Sequence, residues 1–528
     1  MKYIAPAALV ILTLGTIAAP LFAQTAERPS AAPAVATRIS ERKVGFADLP
    51  APLQFVTQHQ TTIRGKPLSY TAMAGETYIT NLAGEPTARF FSFSYLKDGP
   101  PDPSRPVLFV FNGGPGAASV WLHLGVVGPK RVVLDREVNP SNTPPFGVKE
   151  NPYSPLDVAD LVFIDPVGTG FSHAVGNAKD SDFFGVDEDA DSVARFIELW
   201  LTKNGRWNSP KFLMGESYGS VRAAVLPRAL MGGVTYAGVM RGVTINGIIL
   251  LGVALNAGVR PAPGANPPAG PNPEVGLTLP SLAVTAWYHN KIDRAGRTAE
   301  QVYGEAKTFG TTEYANAIAH LNAGALSGEE KIRIATKLAT LTGISGDTWL
   351  GNNLQMSAQS FLKQILADKG LEAGLYDSRY TMSSANNGGD PVADDPAMGR
   401  YVPGFVAAFH DMLHRDLKVE MPIPYGSIVW EGLNFIWNYS RVGVPAGQSY
   451  AVDLATAMRR NEKLRVLVAS GYFDLVSPPA AAENEIVRGR LPADRVTFRN
   501  YESGHMLYLG DTAESFANDV RVFLTGSR

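Results

Sequence analysis

Three short segments of this 528-residue chain hold the residue types needed to make and break an acyl bond. Gly215-Glu216-Ser217-Tyr218-Gly219 sets a serine between glycines, directly after the apolar run "KFLM" and ahead of small and apolar residues that suit a helix. A G-x-S-x-G at a strand-to-helix junction is a nucleophile elbow: the glycines permit a tight turn that projects the hydroxyl, and the helix N-terminus favours developing negative charge. A serine hydroxyl is a poor nucleophile at neutral pH. It needs a base, and the base needs an acid to set its tautomer and stabilise its charged form. Downstream, "VLVASGYFDLVSP" places Asp474 in the loop after a strand, and "YESGHMLYLGD" places His505 in a Gly-containing loop. Each residue alone also suits a structural role, as a turn serine, a cap aspartate or a surface histidine. Their chain order, Ser, Asp, His, and their context, Asp474 in the loop after a strand and His505 in a Gly-containing loop before a predicted C-terminal helix, favour a triad. Acyl transfer also needs donors for an oxyanion, and "LFVFNGGPGAAS" ends a strand in Asn112-Gly113-Gly114-Pro115-Gly116, where missing side chains leave backbone N–H groups accessible.

These segments must be held by a sheet. "PVLFVF", "LVFID", "KFLM", "GIILLG" and "LRVLVAS" are short continuous apolar runs ending at Gly- or Asp-rich turns, the pattern of strands buried on both faces. "ETYITNLAGEPTARFFSFSYL" reads as strands around a turn, and "DEDADSVARFIELWLTK" as a helix. Alternation of this kind predicts an α/β sandwich. The rhythm breaks after Ala257: "VRPAPGANPPAGPNPEVG" is a Pro/Gly loop, and helix-like stretches such as "EEKIRIATKL" and "SAQSFLKQILADKG" follow until about Val444. The predicted organisation is one α/β core in two parts, residues 46–257 and 445–528, interrupted by a mostly helical insertion over residues 258–444 that could act as a lid. A capping-box-like pair, Asp511 and Glu514, predicts the start of a C-terminal helix.

Taken together, "FNGGPGAAS", "NPYSPLDVADLVFIDPVGTGFS", "GESYGS", "GYFDLVSP" and "GHM" resemble the serine carboxypeptidase family, peptidase family S10, in family order from about Phe46 to the C-terminus. The resemblance is to a bacterial secreted-type member. It implies an α/β-hydrolase fold with a helical insertion over the active site, and release of C-terminal residues from peptides through an acyl-enzyme. Carried onto this chain, it implies Ser217 as nucleophile, His505 as general base and then acid, and Asp474 as its orienting partner. It implies the backbone N–H groups of Gly114 and Tyr218 as the oxyanion hole, and Asn112, Gly113 and Glu216 as binders of the substrate's terminal carboxylate. No metal and no organic cofactor is implied. Two departures stand out. Ala117 occupies a position where eukaryotic members commonly have Cys, and Val126-Val127 precede Gly128-Pro129 where the family often has an acidic residue that helps to hold the carboxylate-binding glutamate. Strictness toward free C-termini is therefore less firmly implied than the triad.

Other readings are weaker. His410 and His414 lie at i and i+4 with Asp411 between them, a spacing that could bind zinc on one helix face, but an ordinary insertion helix suits the segment better. An esterase or acyltransferase could use the same acyl-enzyme, and a non-catalytic binding protein could use the same fold, although every expected catalytic position is occupied. The formal net charge of -2, from 47 Lys+Arg and 49 Asp+Glu, gives no electrostatic case for nucleic acid or an anionic membrane. The expected partners are peptides with a free C-terminus. The N-terminus, Met1-Lys2 followed by "IAPAALVILTLGTIAAPLFA" and polar "QTAERPS", reads as a secretory signal over residues 1–23, followed by a Pro/Ala/Ser-rich leader to residue 45. Export to the periplasm or medium follows, with no stable membrane association after cleavage. With no cysteine in the chain, stability must come from core burial rather than disulfides. Sequencing the exported protein from its N-terminus should read Gln24 first; retention of Met1 would contradict cleavage after Ala23.

Overall fold

The computed structural model describes residues 45–134, 138–234, 236–258 and 273–526. The expected signal peptide, nearly all of the leader and most of the Pro/Gly loop after Gly258 lie outside the described residues. Three strands, β1 (Gln54–Ile63), β2 (Lys66–Thr80) and β3 (Pro86–Lys97), form an antiparallel meander at one edge of the main sheet. β1 alternates exposed and partly buried side chains, as an edge strand with one wet face should. Six further strands follow: β4 (Val107–Phe111), β5 (Asp160–Asp165), β6 (Lys211–Glu216), β7 (Gly247–Leu251), β8 (Arg465–Gly471) and β9 (Val496–Tyr501). The spatial order is β1-β2-β3-β5-β4-β6-β7-β8-β9, and a short strand, His173–Ala174, pairs with β3. β5 meets β3 antiparallel, and every later pairing is parallel. Every residue of β4, β5, β6 and β7 is buried, which is why these strands read as unbroken apolar runs.

Alternation along those buried strands divides the core. Phe109, Val162, Leu213 and Ile248 point to one face and pack with Val193 and Ile197 of α1 (Val186–Lys203) and Val221 and Leu226 of α2 (Tyr218–Met231). Leu108, Phe163, Met214 and Ile249 point to the other face. Between β7 and β8 lie α3 (Leu279–Tyr288), α4 (Ala299–Phe309), α5 (Gly328–Thr342) and α6 (Pro396–Arg415). The first three share a core with Tyr472, Phe473 and Leu475 from the loop after β8. α6 instead packs Phe405 and Phe409 into the sheet's second face, alongside Phe516 and Val520 of the C-terminal helix α7 (Ala513–Thr525). A mixed sheet with this crossover order, helices on both faces and an excursion before its penultimate strand is the α/β-hydrolase fold. No described helix is long and apolar enough to cross a membrane.

The start of α7 differs from the sequence expectation. Thr512, not Asp511, stands at the N-cap and makes no side-chain cap bond. Its hydroxyl donates instead to the carbonyls of Leu507, at 2.6 Å, and Leu509, at 3.2 Å, so tertiary tethering of the preceding loop displaces the local cap.

α1 and α2 are joined by a buried ion pair that also reaches the loop after β4. Arg222 on α2, 1 % exposed, donates from Nε to Asp189 Oδ2 on α1 at 2.7 Å and from Nη1 to the Asn112 carbonyl at 2.6 Å. Arg222→Ala would leave the Asp189 carboxyl buried without its partner, a change that costs about 3–5 kcal/mol for buried ion pairs. Denaturant unfolding should show a loss of that size.

Candidate active site

The turn after β6 is built to expose one side chain. Ser217 has φ 59° and ψ −126°, a left-handed backbone that a non-glycine residue adopts only when its surroundings compel it. Its N–H donates to the Leu251 carbonyl at 2.9 Å, and its own carbonyl accepts from the Ser220 hydroxyl at 2.6 Å. The flanking glycines are required by space. A Cβ on Gly215 would stand 2.0 Å from the Gly219 carbonyl oxygen, and one on Gly219 would stand 2.9 Å from the carbonyl oxygens of Phe111 and Asn112. Ser217 thus sits at the N-terminus of the 14-residue α2, where the helix field favours negative charge.

His505 and Asp474, 31 residues apart in the chain, are brought together by β8 and β9: His505 Nδ1 lies 2.8 Å from Asp474 Oδ2. Asp474 is fully buried and also accepts from the backbone N–H groups of Val476 and Ser477, at 2.8 and 2.9 Å, and from the Ser477 hydroxyl at 2.7 Å. With all these donors it serves as an acceptor toward Nδ1, which fixes the imidazole proton there and leaves the Nε2 lone pair free. Burial pulls the His505 pKa down, but the charge of Asp474 and its hydrogen bond, with Glu216 adding, outweigh it and hold the imidazole above its ordinary value.

A strap from the insertion braces both loops. The Tyr376 carbonyl accepts the backbone N–H of His505 at 2.7 Å, the Leu375 carbonyl accepts the backbone N–H of Leu475 at 3.1 Å, and the backbone N–H of Ser378 donates to the Phe473 carbonyl at 3.0 Å. Arg379, paired with Asp377 at 2.6 Å, donates to the Glu502 carbonyl at 2.6 Å.

Glu216, 4 % exposed, points its Oε2 at two donors, Asn112 Nδ2 at 3.0 Å and the Tyr508 hydroxyl at 2.7 Å. Burial pushes its pKa up to about 7 against the lowering effects of His505, Tyr508 and Asn112. Asn112 is itself fixed, its Oδ1 accepting the Leu122 N–H at 3.1 Å. The glycine loop lies against the elbow: a Cβ on Gly113 would be 2.4 Å from the Tyr218 nitrogen. Among the described backbone hydrogen bonds, none uses the N–H of Gly114 or of Tyr218.

Asn112, Gly113, Gly114, Glu216, Ser217 and His505 all line one cavity of about 270 Å³. Its remaining wall is largely apolar, with Trp121, Met398 and Tyr401 on one part and Ile428, Trp430 and Val476 on another. Every residue singled out in the sequence for this chemistry therefore borders or underlies one space; Asp474 lies behind His505, and the Tyr218 side chain is turned into the core, accepting from Trp437 Nε1 at 2.9 Å. His410 and His414 lie elsewhere, both exposed on α6, and Asp411 pairs with Arg415 at 2.8 Å. Among the described residues no group of three or more His, Cys, Asp or Glu is arranged to hold a metal ion.

Sequence reading did not find Ser477, Tyr508 or the strap residues. Ser477 and Tyr508 each stand three residues after a singled-out residue, a spacing with no meaning until the loops are folded. It also missed Gly252, at the end of β7, where φ is +49° and a Cβ would stand 2.7 Å from His505 Cε1 and 2.8 Å from Nδ1. A side chain there must push the imidazole off Asp474. Gly252→Ala should lower kcat by at least about 100-fold, because a misplacement of about 1 Å costs that much, while Ser217 remains in place; steady-state kinetics beside a thermal melt check this.

Residues 69–250, less than half of the chain, match the model of the peptidase S10 serine carboxypeptidase family. Serine carboxypeptidase-like 51 of Arabidopsis thaliana is 35% identical over 130 residues, 24% of this chain and 25% of that protein. The pheromone-processing carboxypeptidase KEX1 of Blastomyces gilchristii is 29% identical over 149 residues, 28% of this chain and 21% of that protein. The chain thus spans about a quarter of the length of the curated relatives it matches. The solved structure of a proline iminopeptidase from Mycobacterium smegmatis aligns with 85% of this chain and 98% of its own at 14% identity and a TM-score of 0.33. The segment that supplies Asn112, Gly113, Gly114, Glu216, Ser217 and Tyr218 is accordingly the one that shares its sequence pattern with the serine carboxypeptidases, while Asp474 and His505 join it through the fold.

Proposed function

We propose that this chain is a serine-type carboxypeptidase, acting on peptides with a free C-terminus after export and removal of residues 1–23. The observation that carries the reading is the placement of a buried carboxyl, Glu216, one residue from Ser217 in the cavity that His505 also lines. A hydrolase site needs the serine, histidine and aspartate; the additional carboxyl, with a pKa raised to about 7, suits recognition of a second carboxyl group.

In this mechanism His505 Nε2 takes the Ser217 Oγ proton as Oγ attacks the carbonyl of the last peptide bond. The N–H groups of Gly114 and Tyr218 receive the oxyanion. Collapse breaks the C–N bond, and His505 gives its proton to the departing amino acid, leaving the peptide esterified on Ser217. Water, deprotonated by the same imidazole, then releases the shortened peptide as a free acid. Asn112, Gly113 and neutral Glu216 hold the terminal carboxylate, since two ionised carboxylates in a partly dry site repel. Transfer to an acceptor other than water would make the same site an acyltransferase, and an ester substrate would make it an esterase.

The pH dependence has two limbs. Glu216 is neutral below about pH 7, so KM for free-acid peptides should be lowest there and rise above it. His505, held above its ordinary pKa, must lose its proton to act as base, so kcat should fall as the pH drops through that raised value. The test is turnover of matched peptides with free and amidated C-termini, beside labelling by a fluorophosphonate. Ser217 should be labelled, Ser217→Ala should lose label and turnover, and Asp474→Asn should lose roughly 10⁴-fold in kcat on the precedent of serine-protease triads. Free acids should be preferred at acid pH, with a flatter KM profile in Glu216→Gln. Labelling without any free-acid preference would favour the esterase or acyltransferase; no labelling of folded protein would remove the hydrolase reading.

A further inference from the structure

We propose that Tyr508 is a positioning residue that determines specificity for free C-termini: its hydroxyl holds Glu216 Oε2, so that Oε1 is the oxygen offered to the terminal carboxylate of a bound peptide. The inference rests on the carboxypeptidase reading and deepens it.

Tyr508 is fully buried and its hydroxyl stands 2.7 Å from Glu216 Oε2, the same oxygen that receives Asn112 Nδ2. Among the described residues no donor reaches Oε1, and Glu216 lines the cavity that holds Ser217. A neutral carboxyl carries one proton on one oxygen. On Oε2 that proton would meet two donor hydrogens already directed at the same atom. On Oε1 it meets none and is free to bond an incoming carboxylate, a charge-assisted hydrogen bond. Tyr508 remains a donor throughout the working range, because burial and the neighbouring Glu216 raise its ionisation well above that of an ordinary phenol.

The ring is placed by several contacts. Gly125 lies against it, and a Cβ there would stand 2.3 Å from Tyr508 Cδ2 and Cε2. Arg131 joins the two segments, donating from Nε to the Gly125 carbonyl at 2.9 Å and from Nη2 to the Tyr508 carbonyl at 3.2 Å. Thr512 pins the carbonyls on either side of Tyr508, those of Leu507 and Leu509. Val126, next to Gly125, is buried and apolar, so the support that reaches Glu216 comes from the C-terminal loop instead of the Val126-Val127 segment. The titratable groups that act on Glu216 are His505 and Tyr508 from that loop and Asp474 from the loop after β8; Tyr401 of α6 is coupled to it as well.

The test is KM and kcat against pH for matched free-acid and amidated peptides in wild type and Tyr508→Phe, with the rate of fluorophosphonate labelling of Ser217 and the melting temperature measured on the same samples. The expected result at acid pH is a rise in KM of about tenfold for free acids, the order of a hydrogen bond to a charged group, with kcat within about twofold of wild type. The pH at which free-acid KM climbs should move upward, because a lost donor to the charged carboxylate favours its protonated form. KM for amidated peptides and Ser217 labelling should not change. Gly125→Ala, which displaces the ring without removing the hydroxyl, should reproduce the free-acid defect. Equal changes for both peptides, slowed labelling in a protein of normal melting temperature, or an unchanged free-acid profile would each overturn the proposal. If wild type itself handles free and amidated peptides alike while Ser217 is labelled, the carboxylate reading fails and this inference falls with it; if Ser217 is never labelled, the hydrolase reading fails first.

Discussion

The left-handed backbone at Ser217 is the constraint around which this site is arranged. A non-glycine residue at φ 59° is unfavourable by itself, so neighbours must hold it there. They do so through backbone: β7 accepts the Ser217 N–H, Ser220 closes the turn from below, and the glycine loop after β4 lies so close that Gly113, Gly215 and Gly219 admit no side chain. The same close approach that stabilises the turn sets the glycine loop against the elbow, and Gly114 and Ser217 line one cavity. Arg222 completes the arrangement from the core side by holding the Asn112 carbonyl and Asp189 together.

Two carboxyl groups act on His505 from different surroundings. Asp474 is buried and accepts from three donors besides the imidazole. Glu216 is buried with donors on one oxygen only, and burial dominates, raising its pKa to about 7. The difference between the two carboxyls is therefore a matter of hydrogen-bond count in equally dry places.

The excursion between β7 and β8 does more than cover the cavity. Its α6 contributes Met398 and Tyr401 to the wall, and its strap over Leu375–Arg379 is hydrogen-bonded to the loops that carry Asp474 and His505. The alignment of the imidazole with its carboxylate therefore depends on residues about 100 positions away in the chain as well as on β8 and β9.

Local signals made part of this legible. Buried parallel strands must be apolar throughout, so β4 through β8 stood out as runs, and the order of the elements indicated an α/β sheet with helices inserted before its last strands. Gly215-x-Ser217-x-Gly219 was readable because a tight turn imposes its glycines locally, and Asp474 and His505 because they lie in loops downstream of the serine in a recognisable order. The first residue of α7 was misplaced because Thr512 is occupied by tethers to Leu507 and Leu509, which no local cap rule includes. Ser477, Tyr508, Gly252, Gly125 and Arg379 left no signal, since their parts in the site arise from proximity between segments distant in the chain. The sequence by itself determined which backbone could turn, which strands could be buried and which side chains could take part in acyl chemistry. Only the tertiary structure decided their distances, the burial that raises the pKa of Glu216, the Asp474 contact that raises that of His505, and the donors that reach each oxygen, because those depend on how separate loops meet at the carboxyl ends of the strands.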